Sequence, residues 1–382
     1  MCAHTRIVQL KHKFYICAKL LNYVSKIDRM KEFENIRIKD IAEMAGVSVG
    51  TVDRVLHNRG RVSEENLKKI NDVLKQVNYH PNMIARSLAS KKQYTIVVII
   101  PSFEPGEYWE SISKGIDKAG NEFEDYGVYI RKLYFDQYDN RSLDKAVESL
   151  FDNNFDAVLI ASLFNESVIN ISRKLDEMNI PYNYIDSNIQ EQNKLAYFGT
   201  DSFNSGAIGA KILLTTIGNK ADILVARMIN SGDLYSNQCI KREAGFNEFL
   251  KKVEYSGKVY YVDLKIGCAE YNYNALDQFF NGNNKIKGVI IFNSKCHEIA
   301  SYMKAKNIHG IALVGYDVIE KNAIALKEGI ISALIAQRPQ LQGYRGVKSL
   351  CEYLILKKTP SKENYMPIDI LIKENVDYYN GQ

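Results

Sequence analysis

Two rhythms of apolar positions divide the chain. Between residues 36 and 78 they recur at helical spacing, and from Tyr94 onward they gather into short continuous runs. In the first part Ile38, Ile41, Ala42 and Ala45 lie three and four residues apart, which places them on one face of a helix. Gly46 follows where a helix ends in a left-handed residue. Ser48 then offers its hydroxyl as N-cap to a second periodic set, Val52, Val55 and Leu56. Ser63, backed by Glu64 and Glu65, starts a third helix that runs to about Asn78. Ala42, Val47, Val52, Val55, Leu67, Ile70 and Leu74 are the expected core of this small all-α unit.

The second rhythm is different. TIVVII, the stretch from Tyr129 to Tyr134, FDAVLIA, the stretch from Tyr182 to Ile185, YFGT, ADILVAR, KVYYVDL, GVIIF and GIALVGYD are β-branched, apolar and short, and amphipathic segments separate nearly all of them. Buried strands alternating with helices predict parallel sheets covered on both faces. About nine strands are too many for one compact unit and fit two doubly wound α/β lobes.

Charge sharpens the division. Residues 1–93 hold 18 Lys and Arg against 9 Asp and Glu, and the remainder holds 32 against 36. A basic front end suits a polyanion. Cysteines stand at positions 2, 17, 239, 268, 296 and 351, with no paired spacing, no Cys-x-x-Cys and no adjacent histidines that would make a metal site, so neither a disulfide framework nor a metal site is expected. The apolar run Phe14 to Leu21 is broken by Lys19 and lacks a small-residue cleavage site, and no stretch approaches membrane-spanning length. The expected compartment is the cytoplasm, at the nucleoid.

A short turn between two amphipathic helices, the second carrying small and basic residues, is the helix-turn-helix arrangement that enters a major groove. Arg54 lies in the second helix, and Arg59 and Arg61 flank Gly60 behind it. Through KDIAEMAGVSVGTVDRVLHNRGRVS and NYHPNMIARSLAS, the chain from Ile36 to Ser90 resembles the DNA-binding headpiece of the LacI/GalR family of bacterial transcription regulators. The resemblance implies base contacts at Val49, Gly50, Asp53 and Arg54. Arg54 can pair bidentately with guanine, whereas Gly50 and Asp53 depart from the amide and hydroxyl residues common there. Thr51, Arg59, Arg61 and Ser63 fall to phosphate contact. The segment Met83 to Ala89 matches the family's hinge helix, with Asn82, Ala85 and Leu88 in the minor groove and Leu88 as the wedge between base steps.

The remaining chain resembles the periplasmic-binding-protein-like (type I) sensor of the same family, whose lobes exchange strands at three crossovers. The expected layout is an N-terminal extension over 1–35, possessing no assigned function, a headpiece over 36–80, a hinge and linker over 81–93, and a sensor over 94–382. Crossovers near 195, 335 and 360 give an N-lobe of about 94–195 with 336–360 and a C-lobe of about 196–335 with 361–380.

Ligands in open α/β sheets bind beyond the carboxyl ends of strands. Candidates at those ends are Phe103 and Tyr108 after the first strand, then Ser162, Asp186 and Asp201. Trp109 can stack on a ligand or anchor the next helix, and Asp201 can cap one. By resemblance, Arg242 ahead of its Ala-Gly-Phe triplet, Asn293, Asp317 and Gln337 fall on ligand positions. Convergent acids, amides and an arginine suit a polyol, so a sugar effector is expected, with a purine or sugar acid as the alternative.

No phosphate-binding Gly-x-x-x-x-Gly-Lys loop, His-Glu-x-x-His or Gly-x-Ser-x-Gly appears, and His297 and His309 are isolated. The expectation is a non-enzymatic, cofactor-free regulator, a repressor that binds a pseudo-palindromic operator as a homodimer. A transport solute-binding protein, the rival reading, would need a signal peptide and no headpiece.

Overall fold

The computed structural model describes residues 36–56, 60–77, 92–229, 236–281 and 285–379. The chain forms two compact units, the first ending at Asn82 and the second beginning at Met83. The extension 1–35, Arg59 and the hinge residues Asn82, Ala85 and Leu88 lie outside the described residues.

In the first unit helices α1 (Ile38–Ala45), α2 (Val49–Leu56) and α3 (Glu64–Gln76) surround Ile41, Ala42, Ala45, Val52, Ile70, Val73 and Val77. Gly46 ends α1 at φ 65°, a left-handed conformation that costs glycine little, and Val47 N–H reaches back to Ala42 O at 2.9 Å. Ser48 Oγ accepts from Thr51 N–H at 3.2 Å, as an N-cap should, and pairs with Thr51 Oγ1 at 2.8 Å. Ser63 does the same for α3, accepting from Asn66 N–H at 3.4 Å. Leu67 corrects the expected core: it is 40% exposed, because the face of α3 that meets the other helices begins a turn later, at Ile70.

The second unit contains, among the described residues, two six-stranded sheets. The first has the order β11-β5-β4-β3-β1-β2, built from β1 (Tyr94–Pro101), β2 (Val128–Phe135), β3 (Ala157–Ala161), β4 (Tyr182–Asp186), β5 (Ala196–Gly199) and β11 (Glu363–Tyr365). The second has the order β12-β10-β9-β8-β6-β7, from β6 (Asp222–Ile229), β7 (Val259–Lys265), β8 (Ile286–Ile291), β9 (Ala312–Tyr316), β10 (Ala333–Ala336) and β12 (Asp369–Leu371). All neighbours are parallel except β12, which runs antiparallel to β10. The nine apolar runs become nine of these strands. The other three, β10, β11 and β12, span four, three and three residues, too few to display a period.

Two of the three crossings between sheets fall later than expected. β5 pairs in parallel with β4, from Asn183↔Ala196 to Asp186↔Gly199, so the chain stays in the first sheet through 199. β11 adds to β5, which delays the last crossing from near 360 to 366–368. The middle crossing, between β10 and the helix at Pro339–Leu356, falls at 337–338.

Four helices flank the space between the sheets: α4 (Tyr108–Phe123), α7 (Ser202–Ile217), α8 (Asn237–Lys252) and α12 (Pro339–Leu356), with α5 (Asn140–Ala146) and α6 (Asn165–Glu177) between the first two along the chain and α9 (Ala269–Phe280), α10 (Cys296–Ala305) and α11 (Glu320–Lys327) between the last two. A Cβ on Gly206 of α7 would stand 1.8 Å from Arg242 O, and one on Gly245 of α8 1.8 Å from Phe203 O. The stretch from Ser205 to Ala210, SGAIGA, is therefore a site of close helix packing. Gly115 and Gly343 bring α4 and α12 together in the same way.

Candidate functional site

In the first unit α2 presents an open edge. Val49 is 48% exposed although apolar, Gly50 and Arg54 are exposed beside it, and Thr51 and Asp53 are half-buried. A Cβ on Gly60, at φ 72°, would stand 3.8 Å from Arg54 Cδ, so the following turn lies against the arginine stem. Arg61 and Ser63 are exposed at the start of α3.

The second unit has a cleft between its sheets, at the carboxyl ends of the strands. Tyr108 opens α4 after β1, Asp186 ends β4, Asn293 follows β8, Asp317 follows β9, and Gln337 follows β10. From α8, Gln238 and Arg242, one helical turn apart, point at the same place. These groups form one buried network. Tyr108 Oη donates to Asp186 Oδ1 at 2.9 Å, and Gln238 Nε2 donates to the same oxygen at 3.2 Å and to Asp186 O at 3.0 Å. Gln238 Nε2 also lies 3.1 Å from Gln337 Oε1, which accepts from Arg242 Nη2 at 3.0 Å and from Thr200 Oγ1 at 3.3 Å. Gln337 Nε2 completes the line by donating to Asp317 Oδ1 at 2.8 Å.

Arg242 is 1% exposed. Its Nη1 donates to Phe292 O at 2.7 Å, its guanidinium stacks 4.0 Å from the centre of the Tyr316 ring, and its Nε has no acceptor among the described residues. Burial raises both aspartates above the usual carboxylate range and the guanidinium opposes that shift; Asp317 is pushed up to about 6. Burial, with Asp186 beside it, drives the Tyr108 phenol well above its ordinary value. The site is thus buried and rich in acceptors, and Arg242 is held on the second lobe.

The cavity is walled by Trp109, Tyr138 and Phe164, and at one side by an ion pair between the lobes, Lys295 Nζ to Glu107 Oε1 at 2.9 Å. Trp109 is at once anchor and wall: 4% exposed, it donates from Nε1 to Gln137 Oε1 at 3.1 Å.

Six of the nine candidates from the strand ends and the resemblance meet here: Tyr108, Asp186, Arg242, Asn293 and Asp317 line the cavity, and Gln337 bonds Asp317 and Arg242 from behind. Three do not. The Ser162 hydroxyl is used by the Ile185 and Ser187 carbonyls, and Phe103 packs edge-on to Tyr134, ring centres 6.1 Å apart. Asp201 caps α7 through Asn204 N–H at 2.9 Å. Gln238, Glu107 and Lys295 were not foreseen. For Gln238 the signal existed, since four residues before Arg242 is the same helix face; the ion pair spans 188 residues and leaves no local pattern. Among the described residues no group of three or more His, Cys, Asp or Glu side chains could hold a metal ion, and no helix is long and apolar enough to cross a membrane.

Residues 96–358 match the periplasmic binding protein domain, and residues 37–82 match the bacterial regulatory proteins of the lacI family. A solved structure from Bacteroides fragilis, described as a LacI transcriptional regulator, is 35% identical with a TM-score of 0.72, covering 76% of this chain and 100% of its own. The HTH-type transcriptional regulator RegA of Clostridium saccharobutylicum is 25% identical over 255 residues, 66% of this chain and 72% of its own. Catabolite control protein A of Streptococcus mutans is 33% identical over 130 residues, 34% of this chain and 38% of its own.

Proposed function

The chain belongs to the lacI family of bacterial regulatory proteins, as a DNA-binding transcription regulator with a ligand-responsive sensor, and on that premise we propose that it is a homodimeric repressor released from or fixed on its operator by a sugar. Two headpieces meet a pseudo-palindromic operator in the cytoplasm. Val49, Gly50, Asp53 and Arg54 face base edges there, while Thr51, Arg59, Arg61 and Ser63 meet phosphates. Asn82, Ala85 and Leu88 complete the contact in the minor groove.

The observation that carries the sugar class is the network joining Tyr108, Asp186, Gln238, Gln337 and Asp317 around Arg242. Buried carboxylates offer acceptors to ligand hydroxyls, and Asn293 with Arg242 Nε supplies donors. Trp109, Tyr138 and Phe164 offer flat apolar walls to the C–H faces of a ring. The carboxylates of Asp186, Asp317 and Glu107 outnumber the cations of Arg242 and Lys295 along the cavity, which disfavours an acidic ligand. The ligand is bound and released unchanged, as befits relatives that are regulators. Coupling is reciprocal: whatever factor the sugar imposes on operator affinity, the operator imposes on sugar affinity.

The test is a thermal-shift screen of the full-length protein against neutral mono- and disaccharides, their uronic acids, and purines, followed by operator binding with and without each hit. A neutral sugar at 100 times its dissociation constant should add about 2.7 kcal/mol of stability. Stabilisation only by uronates or purines would overturn the sugar class, and turnover of the hit would overturn the regulator-only reading.

A further inference from the structure

The N-terminal half of α8 carries polar groups that fasten the second lobe to the first. The Asn237 backbone N–H donates to Leu163 O at 3.3 Å, Asn237 Nδ2 reaches Asn188 O at 3.4 Å, and Lys241 Nζ bonds the same carbonyl. Neither Asn237 nor Lys241 lines the cavity. Gln238 is different, because its carboxamide is inside.

Its Nε2 touches all three mechanical parts of the sensor at once. It belongs to α8 of the second lobe, donates to the carboxylate and carbonyl of Asp186 in the first lobe, and lies against Gln337, where the chain crosses between lobes. An amide nitrogen has two hydrogens for these three acceptors, so they are shared. Asp186 Oδ1 already accepts from Tyr108, and Gln337 Oε1 already accepts from Arg242. A polyol entering the cleft needs those same acceptors. Gln238 therefore ties the lobes together through oxygens that a ligand must share or take over.

We propose that Gln238 is the positioning residue of the response: it sets the fraction of empty protein with its lobes together, and so the range over which ligand can shift it. This rests on the sensor reading above, but not on which ligand binds. A ligand can move a two-state equilibrium only by its differential affinity for the two states. A contact between the lobes made by protein groups alone weights the two states before any ligand arrives.

Trp109, the single tryptophan of the chain, walls this cleft and reports its opening. In the full-length protein without ligand, acrylamide quenching of Trp109 measures how often the cleft admits solvent. Gln238→Glu keeps the size, loses the donor and sets a like charge against Asp186; Gln238→Leu loses the donor without adding charge; Gln238→Lys keeps a donor for Asp186. Glu and Leu should each raise quenching, with the open-to-closed ratio rising about tenfold for loss of hydrogen bonds to a carboxylate, and Lys should leave quenching at or below that of the parent protein. Equal quenching in Glu and Lys would mean that Gln238 acts only by packing, and a Leu variant indistinguishable from the parent would also overturn the proposal. Circular dichroism of each variant separates a cleft that opens from a chain that does not fold. If the ligand screen yields nothing while this series behaves as stated, the sensor reading fails and the role of Gln238 in lobe closure stands.

Discussion

Asp186 and Asp317 occupy matching places in two different sheets. Asp186 ends β4 at φ 70°, Asp317 follows β9 at φ 66°, and both side chains are buried in the cleft. The left-handed conformation is uncommon for a residue with a Cβ, and aspartate tolerates it better than most. Each lobe thus turns one carboxylate into the space between the sheets at the expense of local backbone strain. Asn322 stabilises the second of these turns, donating from Nδ2 to Tyr316 O at 3.1 Å and Asp317 O at 3.0 Å.

The acid at Asp317 makes stability depend on pH. Its folded pKa of about 6 lies above the ordinary value of 3.8, so the folded state holds a proton that the unfolded state has lost. Stability therefore declines as pH rises from about 4 to about 6 and is then level with respect to this group. Asp317→Asn should stabilise the protein at pH 7.5 by on the order of 2 kcal/mol, with the gain fading as pH falls toward 4. Urea unfolding at pH 4.5, 6 and 7.5 checks this, and a gain independent of pH would contradict it. Sugar binding that uses the charged form should weaken as pH drops below about 6.

Replacing Arg54 by alanine should relax base preference at one position in each operator half-site, at about 1–3 kcal/mol. Fluorescence anisotropy against a panel of single-base operator variants reads this directly. Uniform weakening across the panel would make Arg54 a phosphate contact.

Gly206→Ala places a methyl group 1.8 Å from Arg242 O, on backbone that cannot yield without moving α8 away from α7. A loss of stability of at least about 2 kcal/mol is expected. Because Arg242 sits on the displaced helix, affinity for the sugar should fall as well. Thermal denaturation with and without sugar distinguishes the two effects. Ligand binding at parental affinity in a destabilised variant would show that α8 does not carry the cleft geometry.

Glu107 and Lys295 join the lobes by a partly exposed ion pair. Screening limits what it contributes, so Glu107→Gln should weaken sugar binding only a few-fold, by roughly 0.5–1 kcal/mol. A double-mutant cycle with Lys295→Met, followed by calorimetry in low and high salt, isolates the pair. A coupling energy of zero at low salt would show that it plays no part in holding the cleft.

The amino-acid pattern made the helix-turn-helix and nine strands legible, because each depends on residues close in sequence: Gly46 and Ser48 mark a helix end and start, and TIVVII needs no partner to read as a buried strand. What escaped depends on distance along the chain. β11 exists only because Glu363 to Tyr365 finds the open edge of β5, about 160 residues earlier. Ser162 looked as available as Asp186 at the end of its strand, yet the Ile185 and Ser187 carbonyls use its hydroxyl. Leu67 has the spacing of a core residue, but no partner helix extends that far.

The interleaving of the two sheets also orders events during synthesis. The first sheet begins with Tyr94 but its outer strand is not made until Tyr365 has left the ribosome, and α12, which packs on α4, comes only shortly before. Until then β5 offers an unpaired edge and α4 an uncovered glycine-lined face, both of which invite association with other chains. The second sheet waits as well: β6 to β10 are contiguous, but β12, which pairs with β10, is made after β11. Neither half of the sensor is therefore complete until residues 363–371 emerge, and a ribosome stalled after β10 would leave both sheets short of an outer strand, the first also without α12.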